Sequence, residues 1–152
     1  MRGAMELDNL SGAHTRFNAQ YHFVWIVKYR RDLLYDLERQ KVLKELVGEI
    51  SDRFEFVIVQ MGTDGNHVHL FLRAAPRWSP ADIMQKVKGL TAREMLRRLP
   101  SLRQLLWSAH LWADGYYVGT VGDGVTADII KKYIENQGKD TGHKNFSQLR
   151  LF

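Results

Sequence analysis

"FEFVIVQMGTDGNHVHLFLRA", residues 54–74, is the stretch whose reading decides the fold. Its first part, "FEFVIVQMG", is rich in aromatic and β-branched residues, which suit a pleated and mostly buried surface. "TDGN" carries an Asp-Gly turn signal, and "HVHLFLRA" resumes the apolar run, so the stretch predicts two strands joined as a hairpin. Successive side chains on a strand point to opposite faces. His67 and His69 therefore share one face while Val68, Leu70 and Leu72 share the other, facing the core. Two imidazoles at the mouth of such a strand form either a two-point metal ligand or a pair of partly exposed sheet histidines, and the motif alone leaves both open.

Working outward, "YHFVWIVKYR" from Tyr21 predicts a strand of about eight to ten residues before the hairpin. From about Leu37, the spacing of Leu43, Leu46, Val47, Ile50 and Phe54 predicts an amphipathic helix between the two. After the hairpin, "SPADIMQKVKGLTAREMLRRL" opens with Ser79 as N-cap, Pro80 at the first helical position and Asp82 three residues on, which predicts a second helix. Ile83, Val87 and Leu90 mark its core side. Lys86, Arg93 and Arg97 recur on another face as a basic stripe, either solvated or in contact with phosphate. "SLRQLLWSAHLWADG" is expected to be an irregular or partly helical connection. "YYVGTV" from Tyr116 predicts a fourth strand, Gly122 and Gly124 a flexible hinge, and "VTADIIKKYIENQGK" a last helix stopped near Gly138. The order βαββαβ plus a C-terminal helix is the split arrangement of ferredoxin-like and RNA-recognition folds, an α+β antiparallel sheet.

The bulk properties bound what such a domain does. With 152 residues the chain is one ordinary domain, expected to span residues 18–140 between a loose leader over 1–17 and a tail over 141–152. Lysine and arginine outnumber aspartate and glutamate by 22 to 17, for a formal charge of +5, which favours a polyanionic partner. There is no cysteine, so disulfides, thiolate metal sites and cysteine nucleophiles are excluded, and histidine, carboxylates, hydroxyls and amides remain. No apolar run approaches the roughly 18 residues needed to span a bilayer, and the leader has no apolar h-region. A cytoplasmic protein with no membrane partner is expected.

In "KKYIENQ", Tyr133 and Gln137 stand four residues apart on one helical face, while Ile130 and Ile134 define the apolar side. On its own this pair is either a packing tyrosine with a surface glutamine or two groups with a chemical task. Taken together, however, the strand "YHFVWIVKYR", the histidine-hydrophobic-histidine motif in "HVHLFL", the "LW" at Leu111 and Trp112, and the "YIENQ" helix resemble the HUH single-tyrosine transposases of small prokaryotic insertion sequences. These are the TnpA type, which moves single-stranded DNA, and the resemblance runs from about Tyr21 to Gln137. One position departs from the pattern: members commonly carry an acidic residue directly before the first histidine, where this chain has Asn66, with Asp64 two residues earlier.

The resemblance implies that Tyr133 on the C-terminal helix is the nucleophile and that His67, His69 and the side-chain oxygen of Gln137 hold one Mg²⁺ or Mn²⁺ ion. It implies cleavage and rejoining of single-stranded DNA at hairpin-marked element ends through a 5′-phosphotyrosine. It also implies a homodimer in which each active site combines the histidines of one subunit with the tyrosine helix of the other. Lys28, Arg30, Arg31, Lys86, Arg93 and Arg97, with Trp78 as a stacking ring, are the candidate DNA contacts. Two alternatives stand beside it. One is a domesticated relative that nicks hairpin repeats. The other is a non-catalytic RNA-recognition-like module binding single-stranded nucleic acid, although "HVHLFLRA" lacks the Gly-Phe pair of an RNP1 octamer.

Overall fold

A computed structural model describes residues 10–11, 16–107, 109–122 and 125–137. The tail over 141–152, Gly124 of the expected hinge, Gly138 and most of the leader lie outside the described residues. Within the leader, β1 (Leu10–Ser11) pairs antiparallel with β2 (Arg16–Phe17), a short ribbon where a structureless segment was expected.

The domain proper runs β3 (Gln20–Ile26), α1 (Leu37–Phe54), β4 (Val57–Asp64), β5 (His67–Arg73), α2 (Pro80–Arg98), α3 (Ser101–Leu106), β6 (Tyr117–Thr120) and α4 (Val125–Glu135). The four longer strands form one antiparallel sheet in the order β4-β5-β3-β6. This is the βαββαβ arrangement expected from the sequence, with a helix after the last strand. β3 ends earlier than expected, because Val27 leads into a 3-10 turn over Lys28–Arg30 in which Tyr29 and Arg30 take positive φ. The hairpin turn is also tighter than "TDGN" suggests. Asp64 already pairs with His67, leaving only residues 65 and 66 in the loop, with Gly65 at φ +54°. Both loop carbonyls are claimed by the segment after β3: Val27 N–H donates to Asn66 O and Leu34 N–H to Gly65 O, each at 2.7 Å.

The two faces of the sheet differ in kind. Phe23, Trp25, Val27, Val68, Leu70 and Leu72 point to one side and join Leu43, Leu46, Val47, Ile50, Ile83, Met84 and Val87 of α1 and α2 in the main core. α1 starts on Asp36, whose side chain accepts from Arg39 N–H, and α2 on Ser79, which accepts from Asp82 N–H. The other face, with His22, His67, His69 and Phe71, lies under α4. A sheet covered on both sides explains why β3 and β5 read as almost continuous apolar runs rather than clean alternations.

One polar contact locks the core to the 107–116 connection. Trp112 Nε1–H donates to Thr91 Oγ1 at 3.0 Å while that hydroxyl donates to Val87 O, all of it buried, and the Trp112 ring meets Trp25 edge-on. Lys88 Nζ adds hydrogen bonds to the Ala113 and Gly115 carbonyls. Replacing Thr91 by valine keeps the shape but leaves a buried indole N–H without its acceptor. Urea denaturation of Thr91→Val should therefore show a loss of about 1–3 kcal/mol, and unchanged stability would mean that the hydrogen bond does not hold this corner.

Candidate active site

The site is built on β3, β4, β5 and α4. The pairing of Val24 with His69 and Ile26 with His67 sets both motif histidines on the face opposite the main core, as strand alternation requires, and puts His22 on that face beside them. The histidines are not the partly exposed pair that the sequence allowed: His22, His67 and His69 are 4, 2 and 0% exposed. What covers them is α4, through Ile134, Ile130 and Tyr133 packed with Phe71 and Val121. The helix comes this close because residue 62, paired with His69, is glycine. A Cβ there would run into the Ile134 carbonyl oxygen.

Tyr133 thus lies across the histidines of its own chain. Its ring centroid is 5.4 Å from that of His69 and 6.3 Å from that of His22, both edge-on, and His67 and His69 are 5.0 Å apart. One turn further on, the Gln137 amide nitrogen donates to Tyr133 O at 3.2 Å. That amide reaches both His67 and Tyr133: it favours the protonated imidazole and the ionised phenol.

Two contacts that the sequence reading did not foresee orient the imidazoles. Asn66 Oδ1 is 2.8 Å from His67 Nδ1, and in the tautomer with the proton on Nδ1 the ring donates to that oxygen. Nε2 of His67 is then the lone-pair nitrogen, and it faces Asp64 Oδ2 at 3.9 Å. His69 Nδ1 is 3.1 Å from His22 Nε2, and its own Nε2 is buried with no hydrogen-bond partner. When His69 donates to His22, both motif histidines present Nε2 lone pairs, the outer contact fixing the tautomer as it does for metal-bound histidines generally. Position 66 thus uses an amide to do this, where the resemblance led to an acid. His22 carries no signal of its own in the sequence; only the strand register exposes its relation to His69.

Burial sets the ionisation. It lowers His22 and His67 to about 4, with the Gln137 contact opposing it at His67. It lowers His69 to about 2, with His67 and His22 adding to the shift. Three neutral imidazoles face α4 at physiological pH. Burial also raises the Tyr133 phenol; Gln137 acts the other way and the Asp64 carboxylate adds to the rise. Among the described residues, no three His, Cys, Asp or Glu side chains form a closed metal site. The donor set that does fit an oxygen-loving divalent ion is open: two imidazole nitrogens and the Gln137 amide oxygen, with Asp64 at its edge. A lone-pair nitrogen facing a carboxylate oxygen is an arrangement that a cation relieves.

The basic candidates divide by location. Lys28, Arg30 and Arg31 lie in the turn after β3, tied through Asn66 to the histidine end of the sheet. Lys86, Arg93 and Arg97 ride on α2, in the layer on the far side of the sheet. Arg97 forms two hydrogen bonds to Glu94, Arg93 stands 3.7 Å from the same carboxylate, and Lys86 sits over the Phe54 ring. That stripe keeps a net positive charge, since Glu94 alone faces its arginines, and it lies on the layer away from the histidines. Trp78 is likewise spent on packing, edge-on to Phe54 and Phe56, rather than offered as a stacking platform.

Known proteins resemble this chain in sequence and fold. The family described as "Transposase IS200 like" matches residues 15–137. The chain is 33% identical over 133 residues to the ISDra2 transposase TnpA of Deinococcus radiodurans, covering 88% of this chain and 94% of that one. It is 29% identical over 130 residues to the transposase for insertion sequence element IS200 of Salmonella typhimurium, covering 86% and 84%. A crystal structure of a candidate transposase from Deinococcus radiodurans superposes with a TM-score of 0.67 at 33% identity, over 84% of this chain and 97% of that one. The fold alone is shared with a REP-associated tyrosine transposase bound to a REP hairpin, at a TM-score of 0.58 and 11% identity, over 83% and 72%. With its fold, its length and most of its residues in register with these proteins, the chain belongs to the IS200-like transposase family.

Proposed function

We propose that this transposase cleaves and rejoins single-stranded DNA at hairpin-marked insertion-sequence ends through a 5′-phosphotyrosine on Tyr133. The observation that carries the reading is the Tyr133 ring lying edge-on across His69 under a seated α4, with Gln137 one turn on. In the cleavage step, Tyr133 Oη attacks the scissile phosphorus, the bond from phosphorus to the 3′ oxygen breaks, and the leaving 3′ oxygen takes up a proton. The 5′ phosphate remains on the tyrosine. A 3′ hydroxyl from another strand then attacks the same phosphorus, re-forming a phosphodiester and releasing the phenol, so the energy of the first bond is kept without ATP.

The protein's own groups prepare this chemistry. A phenol that burial holds above its ordinary value is a weak nucleophile at neutral pH. Gln137, which favours the ionised phenol, works against that handicap. His67 and His69, kept neutral by burial and oriented by Asn66 and His22, would hold a Mg²⁺ or Mn²⁺ ion together with Gln137. Bound there, such an ion would offset charge developing on the scissile phosphate and orient it for in-line attack. Lys28, Arg30 and Arg31, at the same end of the sheet, are the basic residues placed to meet the DNA backbone.

The working unit we propose is a homodimer with composite sites. In the single chain α4 covers its own histidines; exchange of α4 between two subunits through the segment around Gly122 would rebuild the same contacts across the dimer. A related role, nicking hairpin repeats without moving an element, uses the same residues. A purely binding module does not need Tyr133 at the histidines.

Single-stranded DNA from each flank of the gene, incubated with the protein and Mg²⁺, should give a covalent adduct on a denaturing gel. Tyr133→Phe should abolish it, and His67→Ala or EDTA should reduce it by at least about 100-fold; tight binding with no adduct under any divalent metal would favour the binding module. Mixing His67→Ala with Tyr133→Phe subunits should restore part of the activity, since one composite site then keeps both groups, whereas no recovery would place each site within one chain. Folding stability should also depend on pH. The folded-state histidines lie below 6.5, so the unfolded chain binds more protons as the medium is acidified. Stability is therefore full above about pH 6.5 and falls as pH drops towards 4, by on the order of a few kcal/mol in all. Urea titrations between those limits that gave a flat profile would contradict the burial of neutral imidazoles.

A further inference from the structure

β4 is an edge strand: among the described residues it pairs with β5 alone, and its other side is open. Along that side runs a cleft of about 560 Å³, between the start of α1 and the end of α4, within the ~300–1,000 Å³ usual for small-molecule sites. We propose that this cleft is a nucleobase subsite, holding the unpaired nucleotide next to the phosphate that Tyr133 attacks. The proposal rests on the reading of Tyr133 and the histidines as a strand-cleaving site.

Position is the first argument. Gln137, Ile134 and Gly62 line the cleft, and the same three residues seat α4 over the histidines. A nucleotide in the cleft thus lies against the helix that carries Tyr133. Chemistry is the second. The Tyr35 side chain, 61% exposed in all, offers a face of the kind on which bases stack. One side of its ring lies against the turn at Gly65, where a Cβ would come within 2.6 Å of it. The Gln60 amide and the backbone of residues 60–63 along the free edge supply both donors and acceptors, as the hydrogen-bonding edge of a base requires. Charge is the third. Lys44 and Glu135 sit on opposing walls and offset one another, so the cleft is not built for a bare phosphate; a neutral base with mixed donors and acceptors fits it.

Two measurements decide the matter. In the first, the full ¹⁵N-labelled chain is titrated with each of the four deoxynucleoside 5′-monophosphates and, separately, with inorganic phosphate. The expected result is amide shifts confined to residues 35 and 60–65, stronger for one base than for the others and at least about fivefold weaker in both Tyr35→Ala and Gln60→Ala. No shift there up to about 10 mM, or the same shifts with inorganic phosphate, would overturn the proposal. In the second, adduct formation is measured on strands carrying an abasic nucleotide on either side of the cleavage point. At one position the abasic site should lower the rate by about tenfold in the wild type, and by much less in Gln60→Ala and Tyr35→Ala. Equal penalties in all three proteins would refute the subsite while leaving the cleavage reading intact. A wild type that forms no adduct would refute the cleavage reading, and the titration would still decide whether the cleft binds a base.

Discussion

The seating of α4 on the sheet is the constraint from which the site follows. At Gly62 the helix backbone comes so close to β4 that no other residue fits without displacement. That approach dehydrates three imidazoles, which lowers their affinity for protons, and it brings the phenol to the edge of His69. Moving the helix outward would admit water, return the histidines towards ordinary behaviour and separate the Tyr133 ring from the imidazoles. The chemistry therefore depends on the absence of a side chain at one position of a neighbouring strand.

The two faces of the sheet divide the work. The face towards α1 and α2 carries the large apolar core, tied at one corner by the buried hydrogen bonds of Thr91 and Trp112. The face towards α4 has a much smaller apolar cluster around Phe71, Val121 and Ile134. Stability is thus concentrated away from the histidines. The smaller cluster leaves His69 with an unpartnered ring nitrogen and Tyr133 partly buried beside it.

How much of this was legible in the sequence follows from which signals are local. The helix from Ser79, the hairpin about Gly65 and the face shared by His67 and His69 depend on neighbours within a few residues, and they appear as expected. Tyr133 and Gln137 could be placed on one helix face, but their position over the histidines came only through resemblance. What was invisible is set by register and tertiary approach. His22 meets His69 only because β3 runs antiparallel to β5 with Val24 opposite His69. Gly62 reads as a strand interruption until α4 is seen above it. The basic stripe on α2 and the Trp78 ring are the converse case: their spacing suggested a surface for DNA, whereas Glu94 and the rings of Phe54 and Phe56 occupy them.

The loop at residues 65 and 66 is the shortest connection that joins two antiparallel strands, and both of its carbonyls are bound by the segment after β3. Hairpin tips are ordinarily where chains gain and lose residues as lineages diverge. Here one inserted residue would release Val27 and Leu34 from their acceptors and slide Asn66 away from His67. The tip is consequently closed to length variation.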